Sequence, residues 1–423
     1  MKFASSCSGS ISAINGRGII VVKQDKVSEP FDKISPELWL MLACAGGDNL
    51  KVQNLMQQPV NWGLFLQLAV HHRVYPLAYK TLSQLSNSVV PEHVLSFLRK
   101  KYQENTIYSL SLTGETVRMV RALEGHGIRC IVLKGAPLAW RLYGDIAIRP
   151  SRDIDILVPF EQLEKAMDIL ESEGYHEINV LTTRQFEIYF KNIKKNHHHL
   201  DYQHSKKNIF LELHWKPSRG FHLFPEPTDN ILKRTMVMGN SLPVLSDEEW
   251  LLYLMVHGAR HGWFRLRWLA DIAKFTQIEG IDWKKISLLA QEFGVVSILQ
   301  QSLILANRLF SVPIPLGLVF SVSNDRSAWR LACVGMNLCL TTADCEIMGN
   351  SEQSNYFRKI YNAQLWPGWK NRLNTVLKPF KPTISDIKLI SLPDRLYAAY
   401  YFIRPIYWLW RRLRRLNLIR PHN

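Results

Sequence analysis

Cysteine is scarce and scattered. Six residues among 423 form no CxxC pair, so neither a disulfide scaffold nor a cysteine-based zinc site is expected. No apolar run reaches the roughly 18 residues that a membrane-spanning helix needs; the nearest approach, 396–410, is broken by Arg404 and Pro405. The leading residues MKFASSCSGSISAINGRG hold no continuous apolar stretch of the secretory kind. Internal repeats and low-complexity tracts are absent as well. The expectation is reduced, cytoplasmic chemistry in a soluble protein, or one peripheral at the inner face of a membrane. A hydrophobic share of 47% excludes wholesale disorder, and the length allows two or three domains.

Acidic residues are few where basic ones gather. The chain carries a formal net charge of +16, and residues 357–423 hold fourteen Lys and Arg against only Asp386 and Asp394. Three quarters of the excess therefore sits in the last sixth of the chain, which is expected to meet something anionic independently of the rest. In RPIYWLWRRLRRLNLIR, Arg404, Arg411, Arg412, Arg414, Arg415 and Arg420 interleave with Tyr407, Trp408 and Trp410. Three readings stand open: a helix packing its aromatic face on the body, an anionic membrane surface with rings at headgroup level, or a nucleic-acid backbone.

Apolar spacing of three and four residues predicts helices from Glu37 to about Leu123. Gly127–Leu133 and Asp153–Val158 read as strands, with a short helix over Ala136–Tyr143 between them. Pro159–Glu173 reads as an amphipathic helix closed by Gly174. His197–His204 and Ile209–Trp215 flank the polar turn SKKN as a hairpin. Ser246 and Glu249 have capping-box spacing, and helical patterning then continues to about Phe310. A loop-rich basic segment follows, with Pro367, Pro379 and Pro382. The expected fold is α+β: a small mixed β-sheet unit embedded between helical regions. Its divisions are a polar leader (1–34), a helical region (35–125), the α/β unit (126–245), a second helical region (246–350) and the basic, aromatic-rich end (351–423).

The chemistry concentrates in Leu133-Lys134-Gly135 and Arg149-Pro150-Ser151-Arg152-Asp153-Ile154-Asp155. Strand side chains alternate, so Asp153 and Asp155 share one face while Ile154 and Ile156 enter a core. Adjacent carboxylates repel unless a cation sits between them. A hard oxygen-seeking ion, Mg²⁺ or Mn²⁺, suits them. Glu212, between Leu211 and Leu213 and sharing a face with Phe210 and His214, is the candidate third carboxylate, with Asp201 as runner-up. An Asp-x-Asp alone is more often a solvated strand end. Here it follows a strand ending in Lys-Gly and a short helix, where Gly135 admits an anion to backbone amides and Lys134 and Arg149 add fixed charge for a polyphosphate.

That order of strand, glycine turn, helix, Asp-x-Asp strand and later carboxylate resembles the polymerase-β-like nucleotidyltransferases. LKGAPLAWRLYGDIAIRPSRDIDILV, ELHW and HGARHGWFRLRWLADIA are more closely similar to a bacterial family of uncharacterised nucleotidyltransferases, over about Gly127–Phe275. The resemblance implies Asp153, Asp155 and Glu212 as metal-binding catalytic residues and Lys134, Gly135, Arg149 and Ser151 near the nucleotide. It implies transfer of a nucleoside monophosphate from an NTP, ATP by default, to a hydroxyl of a sugar, peptide, small molecule or nucleic-acid end. Polysaccharide or peptide natural-product synthesis is the implied setting. Gly135 is followed by Ala136-Pro137 where the superfamily has Gly-Gly or Gly-Ser, and Lys134 is expected to cover part of that role. The most basic carboxylate, taken as Glu212, would accept the acceptor's proton.

His257 and His261 share a helix face and, with Arg260 and Arg265, are expected to line the substrate cleft together with His214 or to cap the α/β unit; no HExxH glutamate supports zinc. Arg267 and Asp271 read as a helix-surface ion pair, with a substrate role as the alternative that the resemblance implies; His197–His199 read as a solvated strand, and Trp140, Tyr143 and Trp215 as core or cleft wall. Two rivals remain: an Asp-x-Asp glycosyltransferase using a sugar nucleotide, and a non-catalytic nucleotide-binding protein acting through its basic tail.

Overall fold

The computed structural model describes residues 10–14, 20–23, 29–85, 89–178, 185, 197–217, 233–347, 358, 361–365, 377 and 380–415. The first residues of the leader, the stretch around Pro367 and Pro379, and Arg420 lie outside them. After a strand pair (Ser10–Ile14 with Ile20–Lys23) and a single helical turn (Glu29–Asp32) come α1 (Pro36–Gly46), α2 (Asn49–Leu55), α3 (Trp62–His71) and α4 (Tyr75–Leu82). Helix α1 starts where Ser35 accepts the Leu38 amide and stops at Gly47 in the left-handed region. The long α5 (Glu92–Gly125) then leads to β1 (Ile131–Val132), α6 (Ala136–Tyr143) and β2 (Asp153–Leu157).

A crossover through α7 (Leu163–Ser172), β3 (Tyr175–Glu177) and β4 (His199–His204) delivers β5 (Phe210–His214) alongside β2. The sheet order is β1-β2-β5-β4-β3. Only β2 and β5 run parallel, and their register sets Asp155 directly opposite Glu212. β4 and β5 form the expected hairpin, with Asp201 opposite Glu212 and His199 opposite His214.

β1 is shorter than the apolar run predicts. The run's first residues bond elsewhere, the Ile128 amide to the Leu123 carbonyl at the end of α5 at 2.9 Å and the Arg129 amide to Gln162 Oε1 at 3.1 Å, and at the far end the Leu133 carbonyl accepts Trp250 Nε1 at 2.6 Å. One sheet face carries Ile154, Ile156, Leu200, Tyr202, Leu211 and Leu213 against the apolar sides of α5 and α7. Each such buried aliphatic side chain contributes about 1.5–3 kcal/mol, which pins the register and commits the alternate residues to the opposite face.

A hairpin, β6 (Lys233–Val237) and β7 (Asn240–Val244), runs into α8 (Asp247–Arg260), whose capping box between Ser246 and Glu249 is complete. Residues 250–256 of α8 are buried on every side, as befits a helix wedged between a sheet and a bundle. α9 (Arg267–Phe275), α10 (Trp283–Glu292), α11 (Val296–Phe310), α12 (Leu316–Asn324) and α13 (Arg326–Ile347) follow. Helices from both sides of the α/β unit share one core, in which Met41 and Phe65 join Leu254, Leu269 and Ile304. Near the end of the chain, α14 (Ile384–Leu389) and α15 (Tyr400–Arg415) are tied by Arg404 to Asp386 at 3.0 Å. Among the described residues no helix is long and apolar enough to cross a membrane.

Candidate active site

The polar face of the sheet opens toward α8, and the alternation that buries Ile154 and Ile156 places Asp155 there. Asp155 has a side chain with no exposure, and Lys134 Nζ lies 3.0 Å from its Oδ1. His214 Nε2 stands 3.4 Å from the same oxygen and 3.0 Å from Glu212 Oε2. Asp155 Oδ2 is buried without a hydrogen-bond partner among the described residues. A buried carboxylate oxygen left open is costly and calls for a cation.

The charges are strongly coupled. Burial would lower Lys134, but Asp155 and Asp153 outweigh it and push the ammonium above its ordinary range. Burial opposes the charged form of His214 too, yet its bonds to Asp155 and Glu212 lift it to about 9. Glu212, which burial would raise, is held at about 2 by the bond and charge of His214, with Lys134 and His199 behind them.

Ligand atoms of Asp155, Glu212 and His214 lie within 4.8 Å of one another, and so do those of His199, Asp201 and Glu212. Asp153 is not in these groups. It shares the face of Asp155 but lines a cleft alongside, together with Lys134, Gly135, Arg149 and Ser151. Gly135 turns the chain into α6 at φ 82°, ψ −139°, backbone that a Cβ-bearing residue rarely adopts, and no atom would meet a Cβ there within 4 Å. The backbone itself forms that part of the cleft wall.

His257 near the end of α8 and His261 just past it lie toward Lys134, rings 4.6 Å apart and each 5.3 Å from Trp268. Burial first, then Lys134 for His257 and Arg260 for His261, keep both imidazoles neutral, His261 at about 3. The Arg265 guanidinium is bonded to the His71 carbonyl and packed on the Phe264 ring.

Two expectations are overturned. Arg267 and Asp271 are both buried, and Asp271 pairs with Arg149 at 2.8 Å instead of forming a surface pair along its helix. His198 and His199 are half-buried and gather with His214, their ring centroids 4.3–5.6 Å apart; β4 begins only at His199, so strict alternation does not separate them. Tyr253, buried one turn before His257, is a site neighbour that the motifs did not mark.

A family model described as "Uncharacterised nucleotidyltransferase" matches residues 58–311. No curated protein matches the chain. Among solved structures, an antigenic nucleotidyltransferase-like protein from Paracoccidioides brasiliensis is similar at 17% identity, with 50% of this chain and 96% of that chain covered and a TM-score of 0.33. The matched span exceeds half the sequence and holds Lys134, Asp155, Glu212 and His214 alike: the chain belongs to the uncharacterised nucleotidyltransferase family.

Proposed function

We propose that the protein moves a nucleoside monophosphate from an NTP, taken as ATP, to an acceptor hydroxyl, with Asp155 and Glu212 holding a divalent cation, Mg²⁺ or Mn²⁺, and His214 bonded to both carboxylates. The observation that carries this reading is the buried Asp155 carboxylate, opposite Glu212 on a parallel strand, with one oxygen unsatisfied. When bound, such an ion lowers the pKa of a hydroxyl and neutralises developing phosphate charge. The acceptor hydroxyl releases its proton to solvent in the cleft, its oxygen bonds to the α-phosphorus as the bond to the bridging oxygen breaks, and pyrophosphate departs. Lys134 brings a fixed positive charge to the acidic edge, while Asp153, Gly135 and Ser151 shape the cleft for the phosphate chain. Glu212, the third carboxylate, serves as a ligand of that ion beside Asp155.

Incubation with each α-³²P NTP, Mg²⁺ or Mn²⁺, and fractionated small and large acceptors tests this. Metal-dependent transfer that falls by about 10²-fold or more in Asp155→Asn and Glu212→Gln is expected, as for loss of preorganised charge stabilisation. Reaction with a UDP-sugar in place of an NTP would install the glycosyltransferase reading, and binding without turnover the binding-protein one.

A further inference from the structure

Arg149 and Arg267 are two buried guanidiniums with one carboxylate between them. Arg149 is 2% exposed and Arg267 6%. Arg149 Nε donates to Asp271 Oδ2 at 2.8 Å, and the Tyr143 hydroxyl donates to Oδ1 at 3.0 Å. Both oxygens of Asp271 are thus engaged by groups other than Arg267. Arg149 Nη1 and Nη2, and Arg267 Nε and Nη1, are buried without a hydrogen-bond partner among the described residues. Burial, then the charge of Arg149, draws Arg267 down to about 9, which still leaves it charged at neutral pH.

A buried excess cation with four open donors is unfavourable unless an anion completes it. Arg149 lines the same cleft as Lys134 and Gly135, and Arg267 lies within electrostatic range of Arg149, Asp153 and Arg73. The turn itself has little to offer an oligophosphate: after Gly135 come Ala136 and Pro137, without a hydroxyl and, at Pro137, without an N–H. Guanidinium forks supply the paired donors that phosphate oxygens accept.

We propose that Arg149 and Arg267 clamp the terminal phosphates of the donor, with Asp271 and Tyr143 as positioning residues that aim Arg149; this rests on the nucleotidyl-transfer reading. The clamp takes the part of the nucleotide that departs as pyrophosphate, so free tripolyphosphate is its simplest ligand.

The test is calorimetric titration of the full chain with tripolyphosphate in EDTA, which removes the metal from the comparison. Arg267→Met is expected to weaken binding by about tenfold or more, the value of one charge-assisted contact. It should leave the ligand-free melting temperature equal or higher, because an unpaired buried cation has been removed. Arg267→Lys, which keeps the charge but loses the fork, should also bind more weakly. Wild-type affinity in both variants overturns the clamp, as does a Met variant that unfolds while Lys retains full affinity. Transfer of label with undiminished tripolyphosphate binding in the variants removes the clamp alone. Arginine-dependent binding in a protein that transfers no nucleotide keeps the clamp and removes the transfer reading.

Discussion

Lys134 Nζ lies 3.0 Å from Asp155 Oδ1, and the carboxylate has no solvent exposure, so the ammonium is its resident counter-charge. Trp250 fixes the arrangement by bonding the Leu133 carbonyl, the backbone group just before that lysine. Lys134→Met would leave Asp155 and Glu212 facing His214 as their nearest cation. Removing one partner of a buried ion pair costs about 3–5 kcal/mol, and the 12% exposure of Lys134 points to the lower end. The expected result is a lower melting temperature without metal and a larger upward shift on adding Mn²⁺ than wild type shows. Equal Mn²⁺ shifts in the two proteins would mean that ion and ammonium do not serve the same carboxylate.

The acidic centre was legible in the sequence because it obeys a local rule. Asp153 and Asp155 interrupt an apolar strand with period two, and Glu212 stands alone between two leucines, so the pleat dictates a shared face. The second helical region was equally legible from Ser246 and Glu249. The pairing behind Arg149 was not. Asp271 reads locally as the partner of Arg267 four residues earlier, whereas its actual partner, Arg149, lies 122 residues away. Helical spacing states which residues share a face, not which face is buried or against what. The histidine group escaped for a related reason: its geometry depends on where β4 begins, and strand ends are set by tertiary bonds that periodicity does not encode.

Glu115 provides an acid-stability test away from the site. It lies on α5 and accepts Arg118 at 2.6 Å, Lys207 at 2.7 Å and Tyr175 at 3.0 Å, tying that helix to β3 and to the hairpin turn. Burial alone would raise its pKa, but these three bonds hold it at about 2 against an ordinary 4.5. A folded value below the unfolded one stabilises the fold above pH 4.5, and that contribution disappears as pH falls through about 2. Urea midpoints measured from neutral pH downward should fall less steeply below pH 4.5 in Glu115→Gln than in wild type. Parallel acid limbs would show that the three bonds carry no proton-linked stability.

Gly258 tests how α8 is seated over the site. A Cβ there would lie 2.3 Å from Cζ3 and 2.8 Å from Cε3 of Trp263, which is fully buried. Trp263 cannot yield freely, because its Nε1 donates to the Tyr361 hydroxyl at 3.0 Å and that hydroxyl donates to Gln301 at 2.6 Å. Gly258→Ala must therefore displace the ring or the helix, and overpacking of this kind costs about 1–3 kcal/mol. Because Tyr253 and His257 ride on the same helix beside Lys134, label transfer should fall together with stability. Gly114→Ala is the matched control: this glycine is in the exposed side of α5, with nothing within 4 Å of a Cβ. There the substitution should stabilise by up to about 1 kcal/mol through helix propensity alone. Thermal melts of the two variants are expected to move in opposite directions, and a common sign would mean that Trp263 does not hold α8 in place.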